Sequence, residues 1–266
     1  MAKEVTKVQS GGAVAAYDYG DMAGMGFEDR GRDAISLPYL NILQALSPQV
    51  SEETVAGAKA GMFFNNVTND LDDKVKFLWC HAETKYVEWI PREKGGGFVA
   101  VHEPTSDVVA KAKQQGGSRA TKLHVGDNDL IETRYVYGLA LDDDLEIKSF
   151  VVLANKSKNL KVVRNWFTSM LINGGKDVPT FAFVAELFTT REKNEKGSWH
   201  QLAAKPALGK TWKDSKINPA THGHLLLEAK NLITMVKSGA AKVDYAADSK
   251  PSEAGEAGGE GEAVPF

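Results

Sequence analysis

From Met62 onward, aromatic and β-branched residues alternate with polar ones at a period of two, in short runs between turn residues. This pattern constrains the fold more than any other, because it demands half-buried strands paired side by side. Met62 to Thr68 reads as a strand ending at Asn69-Asp70, followed by Lys74 to His81 and Lys85 to Pro91. Gly95-Gly96-Gly97 then leads into Phe98 to His102. Ile131 to Leu141 and Glu146 to Ala154 flank the acidic turn Asp142-Asp143-Asp144 as a hairpin, and Thr180 to Thr190 and Ser198 to Ala204 flank a second polar turn. The sheet is expected to be antiparallel.

Helical spacing interrupts this pattern in four places. Leu37 to Leu46 has Pro38 in its first turn and Ser47-Pro48 as a stop, which predicts a short helix. Ser106 to Gln115 predicts another, inside a polar insertion running from Glu103 to Val125. A third helix, capped by Ser157, runs to Ile172 and closes at Gly174-Gly175. The last begins at Asn218-Pro219 and ends at Gly239. Strands with one helix between them and one after them predict a β-rich α+β protein, an OB-like, partly open antiparallel barrel with inserted and C-terminal helices. Residues 1–33 have no sustained period and read as a flexible arm, 34–243 as the folded domain, and 244–266 as a disordered acidic tail.

Charge is strongly segregated along the chain. The net charge is -7 over residues 1–145, +9 over 146–243 and -5 over 244–266, within a total of -3. A cationic segment inside a mildly acidic protein points to a polyanion-binding face. Between Lys74 and His102, rings and cations interleave: Trp79, Tyr86 and Trp89 among Lys74, Lys76, Lys85, Arg92 and Lys94. Arg134, Tyr135 and Tyr137 repeat the motif. Lys156, Lys158 and Lys161 stand at the start of the third helix, whose free N–H groups favour an anion, and Arg164 and Trp166 extend that patch. Every base has a π face and every nucleotide a phosphate, so these residues are candidates for binding a single strand. Period two sends half of each strand inward, and which rings face outward is open at this stage.

Other chemistries find little support. A single cysteine, Cys80, excludes an intramolecular disulfide and suits a reducing compartment. No run of eighteen apolar residues exists and no signal core follows Met1, so a cytoplasmic protein without membrane contact is expected. The six histidines have poor ligand spacing, and no metal or other cofactor is expected. Ala204 to Thr211 matches a relaxed phosphate-loop pattern, but polar residues follow it where an apolar helix should open. No nucleophile elbow is present, and no enzymatic activity is expected.

An aromatic and basic β-rich body, an acidic tail and a terminal Pro-Phe together resemble single-stranded DNA-binding proteins. The tip runs Glu260-Gly261-Glu262-Ala263-Val264-Pro265-Phe266, more dilute in charge than the usual acidic tip of the bacterial members. Leu37 to Val50, Gly61 to Thr68 and Tyr86 to Val101 are more similar to the bacteriophage-encoded members. The resemblance implies a replication or recombination protein in the host cytoplasm that coats single strands without regard to sequence. It also implies that the tail, through Glu260, Glu262, Val264, Pro265 and Phe266, recruits replication partners. Strand annealing and a purely protein-binding phage role are the alternatives, and a homo-oligomer is allowed.

Overall fold

A computed structural model describes residues 36–116, 123–175, 177–195 and 197–248. The expected arm and the terminal tip lie outside them. A small antiparallel sheet opens the fold, formed by β1 (Leu40–Ile42), β2 (Phe63–Asn65) and β3 (Leu71–Asp72), with α1 (Pro48–Ser51) between the first two. The main sheet contains β4 (Val75–Ile90), β5 (Gly97–His102), β6 (Leu123–Val125), β7 (Asn128–Leu141), β8 (Ile147–Lys156), β9 (Val184–Asn194) and β10 (Gly197–Pro206). The helices α2 (Asp107–Gly116), α3 (Lys158–Gly174), α4 (Pro219–Ser238) and α5 (Tyr245–Asp248) complete it. The class is the expected β-rich α+β, and the main sheet is antiparallel and open.

Its two longest strands, β4 and β7, form the centre. The start of β4, Val75 to Leu78, pairs with β9 and its end, Tyr86 to Ile90, with β5, while β7 pairs with β8 and β6 on its other side. No ladder joins β8 to β10; α3 packs against both, and a helix stands where a closed barrel would have a strand pair. The two strands expected at 74–81 and 85–91 are therefore one. Residues Ala82 to Thr84, which read as a break, remain in register with Val136 to Arg134.

The expected helix at Leu37 to Leu46 is corrected to an extended segment. Leu40, Asn41 and Ile42 pair with Asn65, Phe64 and Phe63, and the Val152 N–H donates to the Pro38 carbonyl. The residue before a proline resists helical torsions, so Leu37 starts the segment extended and pairing on two sides keeps it so. Gln44 continues the effect by accepting from the His200 N–H and donating to the His200 carbonyl, as a strand backbone would.

Both faces of the main sheet are buried. One carries Phe77, Trp79, Val136, Val151, Leu153 and Leu202 against Val163, Trp166 and Met170 of α3. The other carries Leu78, Val87, Tyr135, Tyr137, Leu139 and Val152 against Leu225, Ala229 and Leu232 of α4. Asn218 caps α4 as expected, its side chain accepting from the Ala220 N–H. Ser157 does not cap α3; it lies at φ 50° and makes no side-chain cap bond. Within the segment expected to be the disordered tail, Tyr245–Asp248 forms α5 and folds back on the sheet, and residues 249–266 lie outside the described residues. Tyr135 O–H donates to Asp248 Oδ2 at 3.1 Å, and Lys156 Nζ lies 3.0 Å from the same oxygen.

Candidate nucleic-acid interface

The rings expected to stack on bases are all inside. Trp79, Tyr86, Trp89, Tyr135, Tyr137 and Trp166 are each at most 8% exposed. Alternation would have left half of them outward only if one sheet face met solvent, and here helices cover both. Trp79 meets Trp166 edge-on at 4.8 Å, and Trp89 meets Phe98 at 5.5 Å. Tyr137 O–H donates to Glu83, as does Tyr245 O–H at 3.1 Å. Burial pushes both phenols above the ordinary tyrosine range, with Glu83 adding to the effect. These residues build the core and present no face to a base.

Most cations of the same stretch already have carboxylate partners. Lys74 lies 3.3 Å from Glu186, Lys76 3.0 Å from Asp143, and Lys94 2.8 Å from Asp127. Lys85 sits between Glu83 at 3.2 Å and Glu103 at 2.5 Å. Burial works against its ammonium, but Glu103 and Glu83 outweigh that and hold it above the ordinary lysine range. Lys156 is taken by Asp248. The Arg134 guanidinium lies 6.0 Å from the rings of Trp79 and Phe167, with its Nε buried and unbonded. Arg92 is in a short turn ahead of the Gly95-Gly96-Gly97 loop. Interleaved carboxylates lower the local positive potential, and with the neighbouring rings buried these positions do not form the expected trough; Lys205, on the β9–β10 hairpin, is likewise paired, 2.9 Å from Glu186.

What remains open lies around α3. Its sequence, KNLKVVRNWFTSMLING, has three cations and no carboxylate. Lys158, Lys161 and Arg164 are exposed, and neither Lys161 nor Arg164 forms an ion pair among the described residues. Spacings of three residues place them along one side of the helix. Beside α3 stands the β9–β10 hairpin, whose register pairs Trp199 with Glu192, Gln201 with Thr190 and Ala203 with Phe188. Directly paired residues share a face, so Trp199, Gln201, Ala203, Lys205, Phe188, Thr190 and Glu192 lie together on the outer one.

Each ring on that face carries a cation. Lys158 Nζ sits 3.7 Å over Trp199, and Lys205 Nζ 5.5 Å over Phe188. Lys205, with Lys74 helping, in turn holds the Glu186 carboxyl below the ordinary carboxylate range. The opposite face of the hairpin is pinned to the body: Thr189 O–H donates to the Gly61 carbonyl at 2.7 Å, and His200 backs on Gly61. Gly61 has φ +95°, and a Cβ there would come within 2.5 Å of His200 Nδ1, so no side chain fits.

Between α3 and the hairpin runs a groove of about 330 Å³. Val162, Asn165, Trp166 and Ser169 form one wall; Thr190, Glu192 and Gln201 stand on the other, with Trp212 among the lining residues. The Leu202 N–H donates to Asn159 Oδ1 at 3.3 Å, linking the walls. Trp212 belongs to a loop that Ser215 staples, its Oγ accepting from the N–H groups of Ala207 and Leu208 and donating to the Val184 carbonyl. The phosphate-loop-like Lys210-Thr211 lies in this loop, after an antiparallel strand, with Thr211 bonded to Asp214.

Sequence reasoning thus found Lys158, Lys161 and Arg164 but missed Trp199, Phe188, Lys205 and Trp212. The alternation of Trp199, Gln201 and Ala203 signalled an amphipathic edge; their proximity to α3 had no local signal. Among the described residues, no group of three or more metal-ligating side chains exists, and no helix is long and apolar enough to cross a membrane. A family model described as Pam3 phage gp34-like protein matches residues 6–242. The match covers most of the chain, which therefore belongs to that phage protein family. No curated protein and no solved structure matches it.

Proposed function

We propose that this member of the Pam3 phage gp34-like family binds single-stranded nucleic acid, with little dependence on sequence and without covalent chemistry. One observation supports the reading above all: a carboxylate-free helix bearing three exposed cations runs beside a hairpin face on which two half-exposed rings each carry a lysine. Cations along a backbone path release counterions, and accessible ring faces accept bases of any identity. The strand follows α3 and crosses the outer face of β9 and β10, and the buried rings serve as its foundation. In this reading the protein acts on exposed strands during phage replication or recombination in the host cytoplasm. The terminal Val264-Pro265-Phe266, with Glu260 and Glu262, recruits other replication proteins.

Titration with oligo(dT), followed by tryptophan fluorescence over a series of salt concentrations, tests this. Each phosphate contact on a single strand adds about 0.7 to the slope of log affinity against log salt, so Lys161→Ala with Arg164→Ala should lower it by about 1.4. Trp199→Ala should weaken binding by about 1–3 kcal/mol. No binding at micromolar protein in low salt would refute the proposal.

A further inference from the structure

Backbone groups along β10 alternate in direction, and side-chain contacts fix which of them point away from β9. The Leu202 N–H donates to Asn159 Oδ1, and the His200 N–H donates to the Gln44 amide, which donates back to the His200 carbonyl. In an antiparallel ladder residues two apart point the same way, so Ala204 shares the outward direction. The Ala207 N–H, three residues on, reaches the Val184 carbonyl on the opposite side, as that alternation requires. In the outward row, His200 and the Leu202 N–H are therefore held by amide side chains. The Leu202 carbonyl and both backbone groups of Ala204 have no partner among the described residues. Pro206 comes next in the row and has no N–H to offer. The open stretch of edge is short, bounded by Asn159 at one end and by a proline at the other.

That stretch lines the groove: Leu202, Ala203 and Ala204 share it with Val162 and Asn165 of α3 and with Trp212. A free strand edge facing a helix is the setting in which an extended peptide adds as a further strand, main-chain bonds giving affinity and side-chain contacts selecting residues. Val162 and Trp212 offer apolar surface to such a peptide. The exposed charge around it is mainly positive. Lys161 stands one turn before Asn165, Lys210 and Lys213 flank Trp212, and none of the three forms an ion pair among the described residues. Against them stand Glu192 and Asp214, the latter bonded to Thr211. We infer that the groove between α3 and β10 docks an extended acidic peptide segment of another protein. The segment pairs with the open backbone groups of residues 202–204, lays an apolar side chain against Val162 and Trp212, and turns its carboxylates toward Lys161, Lys210 and Lys213. The site shares Lys161 with the nucleic-acid path proposed above and otherwise stands apart from it.

Fluorescence polarisation with the full-length protein and a labelled Glu-Val-Glu-Val-Glu peptide tests the site. Saturable binding below millimolar concentration is expected, and much weaker binding of Lys-Val-Lys-Val-Lys. Two further analogues are N-methylated, one at every Val and one at every Glu; side chains and charge stay the same, but one set of backbone donors is gone. At least one of them should lose binding, because a strand on β10 must donate through one set. Ala204→Pro deletes the edge N–H, as Pro206 already does two residues on, and should weaken the peptide roughly fivefold, the worth of one hydrogen bond. Its urea midpoint checks that it folds, and if it does not, the N-methylated peptides on the wild-type protein decide alone. No peptide binding at millimolar concentration, equal binding of the lysine peptide, or undiminished binding of both N-methylated analogues overturns the proposal. So does a wild-type dimer in sedimentation that Ala204→Pro dissociates, since the occupant is then a second copy. Oligo(dT) affinity is measured separately, and its loss removes the nucleic-acid reading without touching this one.

Discussion

Gly138 has no side chain because the bulge opposite it leaves no room for one. Trp79 faces Gly138 and His81 faces Tyr137, which makes Cys80 the extra residue of β4. A Cβ on Gly138 would lie 2.2 Å from the Leu78 carbonyl oxygen and 2.2 Å from the Phe77 ring. Gly138→Ala should therefore cost about 3 kcal/mol, the upper end of overpacking penalties, seen as a lower urea midpoint; an unchanged midpoint would show that the strands can part there. The same extra residue buries the lone thiol, and burial pushes Cys80 up to about 12, so it stays protonated at neutral pH. Two histidines shift the opposite way. Burial lowers His81, with Glu83 opposing and Lys237 assisting, and burial then Arg191 lower His200. The unfolded chain takes up these protons near pH 6.5 and the folded one only below it, so the unfolded state binds more protons in that interval. Stability should be intact above about pH 6.5 and fall as the pH drops through the lower folded values. Urea unfolding from pH 7.5 to 5.5 measures this, and His81→Gln should flatten the decline; a midpoint that rises on acidification would contradict it.

At the scale of elements, period two identified most strands of the main sheet, and capping residues located α4. What it could not identify were elements that exist only through partners. β1 has the apolar spacing of a helix and is extended because β2 pairs with it and β8 bridges Tyr39 just ahead of it. α5 is the extreme case, four residues that could not hold a helix alone. Its composition reads as tail, yet Tyr245 packs edge-on against Tyr135 at 5.2 Å and Asp248 joins Tyr135 to Lys156. Asp248→Ala would leave that lysine and phenol unbonded in a largely buried setting. We expect a loss of about 1–3 kcal/mol in urea unfolding. A neutral result would mean that α5 lies on the sheet without holding it.

For the whole molecule, the question sequence could not answer was which surfaces are covered. Trp79, Tyr135 and Trp166 have the residue types and the basic neighbours of a stacking platform, and nothing local distinguishes them from Trp199. The difference comes from where α3 and α4 land, on opposite faces of one sheet, a consequence of chain connections far apart in sequence. The cations of α3 were legible because a helix without acids is a local fact. Their meeting with the β9–β10 hairpin was not. That meeting has one more implication. Backbone ladders hold most neighbouring strands at a fixed pitch, but amide side chains, Asn159 to Leu202 and Gln44 to His200, tie β10 to what lies beyond its free edge. Helix and hairpin are thus held together by side-chain contacts, and no backbone ladder fixes their separation, so the groove between them can change width while every rung of the sheet stays closed.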